Sequence, residues 1–274
     1  MPANSDFDRF RAFLEKSCGI QLGTNKEYLV SSRLNRLMEQ QGLKTLGELV
    51  NRIQSQPYGG LRNQVIDAMT TNETLWFRDS YPFEVLKQRI LPELLDGNAG
   101  GRLRIWSAAC SSGQEPYSLA MAIDEFERSR PGQIRGGVQI VATDLSATVL
   151  EQCRQGEYDS LAIARGLSSE RLQRYFDSLP GGAWRIRPAV RSRVEFRALN
   201  LLDSYALLGK FEVIFCRNVL IYFSAEMKKD ILARMHAALK PGGYLFLGAS
   251  EALNGLPELY QMVQCSPGIV YKAR

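Results

Sequence analysis

The chain has 274 residues, of which 45% are hydrophobic and 23% charged, with a formal net charge of +5. This ordinary globular composition excludes a disordered tail or a fibre, and the length fits one large domain or two modest ones. No apolar run reaches the roughly 18 residues that a membrane span needs. The N-terminus lacks a basic patch followed by an apolar core, so a cytoplasmic protein, not embedded in a membrane, is expected.

The first seventy residues carry helical spacing. Phe7, Phe10, Phe13 and Leu14 recur on one face, then Tyr28, Leu29, Leu34, Leu37 and Met38, then Leu46, Leu49, Val50 and Ile53. Gly19, Gly23, Gly42 and the stretch Gln-Pro-Tyr-Gly-Gly at 56–60 punctuate them. Residues 1–70 are therefore expected to be an all-helical domain. The segment Thr70-Thr-Asn-Glu-Thr-Leu-Trp-Phe-Arg-Asp79 interleaves hydroxyls and an amide with two aromatics and an arginine. It reads as a lid over a ligand, within a linker spanning 71–99. The plain alternative is a linker with a helix cap.

From about residue 100 the pattern changes. Leu103–Ala108, Val138–Thr143, Val194–Leu199, Phe211–Cys216 and Tyr244–Gly248 are short, largely apolar runs with helical segments between several of them, notably Pro116–Arg128 and Ala225–Leu239. Strands alternating with helices imply βαβ units and a buried, doubly wound, mostly parallel sheet over 100–274. Pro180-Gly-Gly, between Tyr175-Phe176 and Trp184-Arg-Ile-Arg, reads as a small antiparallel β-subdomain inserted at about 175–197.

Several chemistries are poorly served. The five cysteines include no Cys-x-x-Cys pair, and the one histidine, His236, falls inside a predicted amphipathic helix. A metal centre, a disulfide framework and a histidine-based nucleophile are thus all disfavoured. Charge is uneven. Arg165 to Arg197 holds eight arginines against Glu170, Asp177 and Glu195, an excess equal to that of the whole chain. Such a patch suits an acidic partner, and a solvated surface is the plain alternative.

In an open parallel sheet, ligands bind beyond the carboxyl ends of the strands. After the first strand comes Ser107-Ala-Ala-Cys-Ser-Ser-Gly113, then Gln114-Glu115-Pro116. This is no Gly-x-Gly-x-x-Gly, so a dinucleotide fingerprint is missing. Glu115 at the helix start would repel a phosphate and favour an ammonium or sulfonium group, unless it only complements the helix dipole. Asp144, after the second strand, suits the two hydroxyls of a ribose, or else caps the next helix. Asn200, after the third, has the donor and acceptor to read an adenine edge, or is a turn residue. Arg217 and Asn218 follow the fourth strand amid apolar neighbours. Together these are handles for S-adenosylmethionine, a nucleoside with a sulfonium and no phosphate.

The blocks at 70–79, Trp106–Ser118, Ala142–Ser146, Phe215–Phe223 and Leu239–Glu251 keep the order of the chemotaxis-receptor methyltransferase (CheR) family, and the chain resembles that family over roughly 65–255. The resemblance implies a class I methyltransferase domain with a helical N-terminal domain and a small β-subdomain. It implies transfer of a methyl group from S-adenosylmethionine to glutamates of bacterial chemoreceptors, with S-adenosylhomocysteine as product and no metal. Asn72, Thr74, Arg78, Glu115, Asp144, Asn200, Leu201, Arg217 and Asn218 would line the donor site. Arg78, Arg217 or Tyr222 would orient the acceptor carboxylate. The receptor's helical cytoplasmic region would dock on Arg33, Arg36 and the basic 165–197 segment. Cys110 departs from the smaller alanine expected there. The short loop at Leu179–Ala183 argues against a C-terminal peptide tether. Rival readings are an RNA methyltransferase, a non-catalytic donor-binding module and a nicotinamide oxidoreductase. The first lacks an RNA-binding module, and the last is disfavoured by the missing glycines and by Glu115.

Overall fold

The structure is a computed structural model and describes residues 5–56, 59–96, 100–253 and 255–274. The Met1–Asn4 part of the N-terminal reading and Pro57-Tyr58 of the predicted punctuation lie outside these residues. The chain divides into two compact units, Met1–Thr71 with Tyr222–Lys228 and Asn72–Ile221 with Lys229–Arg274.

In the first unit, α1 (Asp6–Cys18), α2 (Glu27–Gln40), α3 (Leu46–Ser55) and α4 (Gly60–Met69) follow the predicted periodicity. The Ser5 and Thr45 side chains cap α1 and α3 by accepting from Asp8 N and Glu48 N. Gly19, at φ 77°, closes α1 in the left-handed conformation. Phe10, Leu14, Leu34, Leu49, Val50 and Val65 are fully buried. Arg33 spans from α2 to the end of α4, where its guanidinium donates to the carbonyls of Met69 (2.7 Å) and Thr70 (3.0 Å) and to Thr71 Oγ1. It thus satisfies carbonyls that a helix end leaves without partners. Arg36, on the same helix, is exposed.

The second unit carries the sheet. Its strands are β1 (Leu103–Ala108), β2 (Val138–Asp144), β3 (Glu157–Tyr158), β4 (Phe176–Ser178) and β5 (Trp184–Ile186). They continue with β6 (Val194–Ala198), β7 (Phe211–Cys216), β8 (Leu239–Leu247), β9 (Tyr260–Gln264) and β10 (Ile269–Ala273). Seven strands form one sheet in the order β6-β2-β1-β7-β8-β10-β9. The first five are parallel, and β10 and β9 add antiparallel pairs. Chain order reverses on the two sides of β1, so the crevice predicted by the switch-point rule lies at the carboxyl ends of β1 and its neighbours β2 and β7. Every residue of β7 is buried, as near-continuous apolarity requires of a strand covered on both faces. Residues 240–243 lie within β8. Pairing there jumps from Leu239–Phe211 to Tyr244–Val213.

Two expectations change. The small sheet, order β3-β5-β4, begins at Glu157 and ends at Ile186. It therefore starts before the predicted 175–197 insertion, whose last residues belong to β6 of the main sheet. Residues 81–96, read as linker, form a continuous helical run of Tyr81–Val85, a π turn Leu86–Ile90 and Leu91–Asp96. Phe83, Leu86, Ile90 and Leu91 of this run are buried in the core. Pro92 has no N–H to continue the i→i−4 ladder, and the ladder re-spaces just ahead of it.

The 70–79 segment is anchored through Trp76. Trp76 is fully buried, edge-on to Tyr158 (4.8 Å) and Phe176 (5.3 Å), and its Nε1 donates to the Ala162 carbonyl (3.1 Å). Trp76→Ala is expected to cost about 3–5 kcal/mol of stability, from lost packing and cavity formation. A urea midpoint unchanged from wild type would contradict that anchoring.

Candidate functional site

The loop after β1 is held in a strained shape. Ala109 (φ 58°) and Ser111 (φ 50°) lie in the left-handed region beside Gly113 (φ 92°). A Cβ on Gly113 would come within 2.9 Å of the Tyr158 hydroxyl, so only glycine fits there. Phe77, Asp79, Ser80 and Asn218 share that backbone region. These six are the non-glycine residues with positive φ among the described residues; five fall in the three segments read as site-forming, and Ser80 directly follows the first of them. Backbone strain of this kind collects where a binding geometry is imposed.

Two hydrogen-bonded clusters sit at the strand ends. In the first, Asp144 closes β2, and its two oxygens accept from Ser111 N (2.8 Å) and Ser146 N (3.0 Å). The Ser111 hydroxyl donates to the Asn72 carbonyl (2.9 Å), tying the 70–79 segment to this loop. The Leu199 N–H donates to the Asp144 carbonyl (3.0 Å), which brings the Asn200 turn alongside. Asn200 Oδ1 accepts from Leu202 N (3.1 Å), the turn role that was its plain alternative. Leu201 is buried, its carbonyl accepting from the Tyr205 hydroxyl. Behind the loop, the thiols of Cys110 and Cys153 both donate to the Ser111 carbonyl, and both side chains are buried.

In the second cluster, Arg217 follows β7 with a side chain only 1% exposed. Its Nη1 donates to Glu115 Oε2 (3.1 Å), and its Nη2 to Asp79 Oδ2 (2.6 Å) and the Arg78 carbonyl (2.9 Å). Glu115 also accepts from the Ser107 hydroxyl (2.8 Å). Burial pushes the Glu115 carboxyl above its ordinary range. Arg217 and Ser107 oppose that shift only in part, and Glu251 adds to it. Asn218 donates its backbone N–H to Glu251 Oε2 (2.7 Å).

The structure thus groups Asn72, Glu115, Asp144, Asn200, Leu201, Arg217 and Asn218 at the carboxyl ends of β1, β2, β6 and β7. Thr74 and Arg78, both half-buried, lie in the segment joined to both clusters. The Arg78 guanidinium touches the Glu73 carbonyl (3.4 Å) and has no carboxylate in ion-pair range among the described residues. Tyr222 belongs to the helical unit, where its carbonyl accepts from Gln21 N. Sequence reasoning passed over Asp79, Ser107 and Glu251. All three are polar residues inside or beside the blocks already singled out, and that was their only signal.

This donor set suits a cationic nucleoside better than a phosphate. A carboxylate occupies the first turn of the helix Gln114–Ser129, where a phosphate would otherwise sit. A second carboxylate is fixed at the adjacent strand end. Arg217 Nε is buried without a hydrogen-bond partner among the described residues, as expected where an acceptor on a ligand belongs.

The basic segment is less open than its composition implied. Arg165, Arg171, Arg174, Arg185, Arg187, Arg193 and Arg197 each pair with a carboxylate, several brought from elsewhere in the chain, such as Glu73, Glu125, Glu127 and Glu157. Arg191 donates to the Gln155 carbonyl. Burial raises the Glu125 carboxyl, but the hydrogen bonds from Arg171 and Lys87 outweigh it, and the net shift is down. Seven of the eight arginines thus have an intramolecular carboxylate partner, most of these pairs being solvent-exposed.

The family described as "CheR methyltransferase, SAM binding domain" matches residues 72–269, and "CheR methyltransferase, all-alpha domain" matches 5–70. The chain is 74% identical over 271 residues to the chemotaxis protein methyltransferase Cher2 of Pseudomonas putida, covering 99% of this chain and 98% of that one. It is 74% identical over 272 residues to chemotaxis protein methyltransferase 1 of Pseudomonas aeruginosa, covering 99% of each. With the chemotaxis protein methyltransferase of Escherichia coli K12 it shares 34% identity over 264 residues, 95% of this chain and 88% of that one.

Proposed function

From the premise that the chain belongs to the CheR methyltransferase family, we propose that it transfers the methyl group of S-adenosylmethionine to glutamate side chains of bacterial chemoreceptors. The products are glutamyl methyl esters and S-adenosylhomocysteine. The observation that carries the donor assignment is the pair of carboxylates, Glu115 and Asp144, fixed at adjacent strand ends. The names of the relatives support a chemotaxis substrate.

Asp144, oriented by two backbone N–H groups, accepts the ribose hydroxyls. Asn200 and Leu201 line the adenine end. Glu115 faces the cationic end, while Asn72, Thr74, Arg217 and Asn218 complete the wall. When bound, S-adenosylmethionine supplies an activated methyl carbon whose leaving group is a neutral sulfide. A glutamate with an ordinary pKa of about 4.3 is already an anion at neutral pH. The chain therefore needs no general base, and its work is to align the acceptor and exclude water. Arg217 is committed to Glu115 and Asp79, so orientation of the acceptor falls to Arg78. The Arg78 guanidinium has no carboxylate in ion-pair range among the described residues.

Calorimetry tests the donor assignment. S-adenosylmethionine is expected to bind and NAD not to bind. Because the Glu115 carboxyl is shifted upward, it becomes protonated on acidification sooner than an ordinary glutamate, and cation binding must then expel that proton. Affinity is therefore expected to fall as pH is lowered through that raised range, and Glu115→Gln is expected to flatten the profile. Tight NAD binding would sink the assignment.

Receptor docking is assigned to the helical unit, through exposed Arg36 rather than Arg33, which closes α4. The paired 165–197 segment contributes secondarily, so receptor affinity falls as salt rises, though less steeply than eight free arginines would give. Arg36→Glu is expected to weaken co-sedimentation with receptor membranes while leaving donor affinity unchanged. Equal receptor binding by the variant would reject the assignment.

A further inference from the structure

The geometry points to Glu251 as a positioning residue for the donor site, acting through the turn that follows β7. This inference rests on the donor assignment above. Glu251 lies after β8, and its carboxylate gathers three backbone N–H groups from two strand ends. Oε2 accepts from Asn218 N (2.7 Å) and Gly248 N (2.8 Å), and Oε1 accepts from Ile221 N (3.3 Å). Its own N–H donates to the Gly248 carbonyl (2.9 Å), so a tight turn returns the side chain to the strand ends.

The backbone that it grips is unusual. Asn218 sits at φ 59°, a conformation that asparagine tolerates but that needs external support. Arg217, whose guanidinium bridges Glu115 and Asp79, is the residue immediately before it. A charged acceptor for the Asn218 N–H fixes the peptide from which both side chains project, and hydrogen bonds to a carboxylate are the strong kind. Gly248 completes the fit. A Cβ there would lie 2.7 Å from Glu251 Oε2 and 2.8 Å from Asn218 N, so no larger residue allows the approach. Glu251 holds backbone beside the site, and its effect on binding is exerted through Arg217 and Asn218.

The test is calorimetric titration of the full-length chain with S-adenosylmethionine and S-adenosylhomocysteine, with thermal unfolding in parallel. Glu251→Ala and Gly248→Ala break the same contact from opposite sides. Each is expected to weaken both ligands alike, by about tenfold, at temperatures well below unfolding. Glu251→Gln keeps an acceptor oxygen for the two shorter bonds and is expected to stay within about threefold of wild type. Should Glu251→Ala not fold, Gly248→Ala carries the same test. Folded variants that bind both ligands like wild type would overturn the inference, as would a loss confined to S-adenosylmethionine, which would mean that Glu251 acts by charge rather than geometry. Failure of the wild type to bind either ligand would instead reject the donor assignment.

Discussion

Arg217→Met is expected to destabilise the fold by about 3–5 kcal/mol and to abolish measurable donor binding, because it removes one partner of a buried ion-pair cluster. The wild-type guanidinium is 1% exposed and spans Glu115, Asp79 and the Arg78 carbonyl. Methionine fills most of the volume but leaves Glu115, already pushed upward by burial, without its opposing charge. The carboxyl would then titrate higher still and lose the charge that a cationic ligand needs. Coupling distinguishes this from simple loss of packing. The double variant Arg217→Met with Glu115→Gln is expected to recover about 1–3 kcal/mol relative to Arg217→Met alone, since no buried charge is then left unpaired. Additive urea unfolding energies would contradict the cluster account.

Asp144→Ala carries the second large effect, a loss of about a hundredfold or more in affinity for S-adenosylmethionine. Two hydrogen bonds from ribose hydroxyls to a charged acceptor contribute roughly 1.5–3 kcal/mol each. The substitution also strands the Ser111 and Ser146 N–H groups that hold the carboxylate in place. A ligand series isolates the ribose contact. An adenosylhomocysteine analogue lacking the ribose hydroxyls is expected to bind wild type weakly and to be no weaker on Asp144→Ala. Further weakening of that analogue by the substitution would place the role of Asp144 in the loop rather than at the ribose.

The features legible in the sequence are local ones. Largely apolar runs mark β1, β2 and β7, as strands covered on both faces carry that pattern, while β6 alternates Val194, Glu195, Phe196 and Arg197 at the sheet edge. Glu115, Asp144, Asn200 and Arg217 stand at or shortly beyond the carboxyl ends of those runs, where a parallel sheet presents its ligand-binding groups. Long-range partnerships leave no trace. Asp79 and Arg217 are 138 positions apart and Glu115 and Arg217 are 102 apart, so neither pairing shows in any spacing. The same blindness makes 165–197 look like a free cationic surface. Counting charges within the segment cannot include Glu125 or Glu127, which the fold brings to Arg171 and Arg193. Weak local signals hide the rest. Glu157–Tyr158 is too short to declare itself a strand, and β9, with Gln261, Met262 and Gln264 exposed, has no apolar run. The helical run at 81–96 is obscured by Pro82 and Pro92.

The measurement that tests the central claim most directly is transfer of a labelled methyl group from S-adenosylmethionine to receptor-bearing membranes, followed by mild alkaline treatment and mass spectrometry of receptor peptides. Label on receptor glutamates, released by base as volatile methanol and absent with Asp144→Ala, is the predicted result. Label that resists base, appears on a nitrogen or on RNA, or is never transferred would contradict an already ionised carboxylate attacking the donor in this crevice.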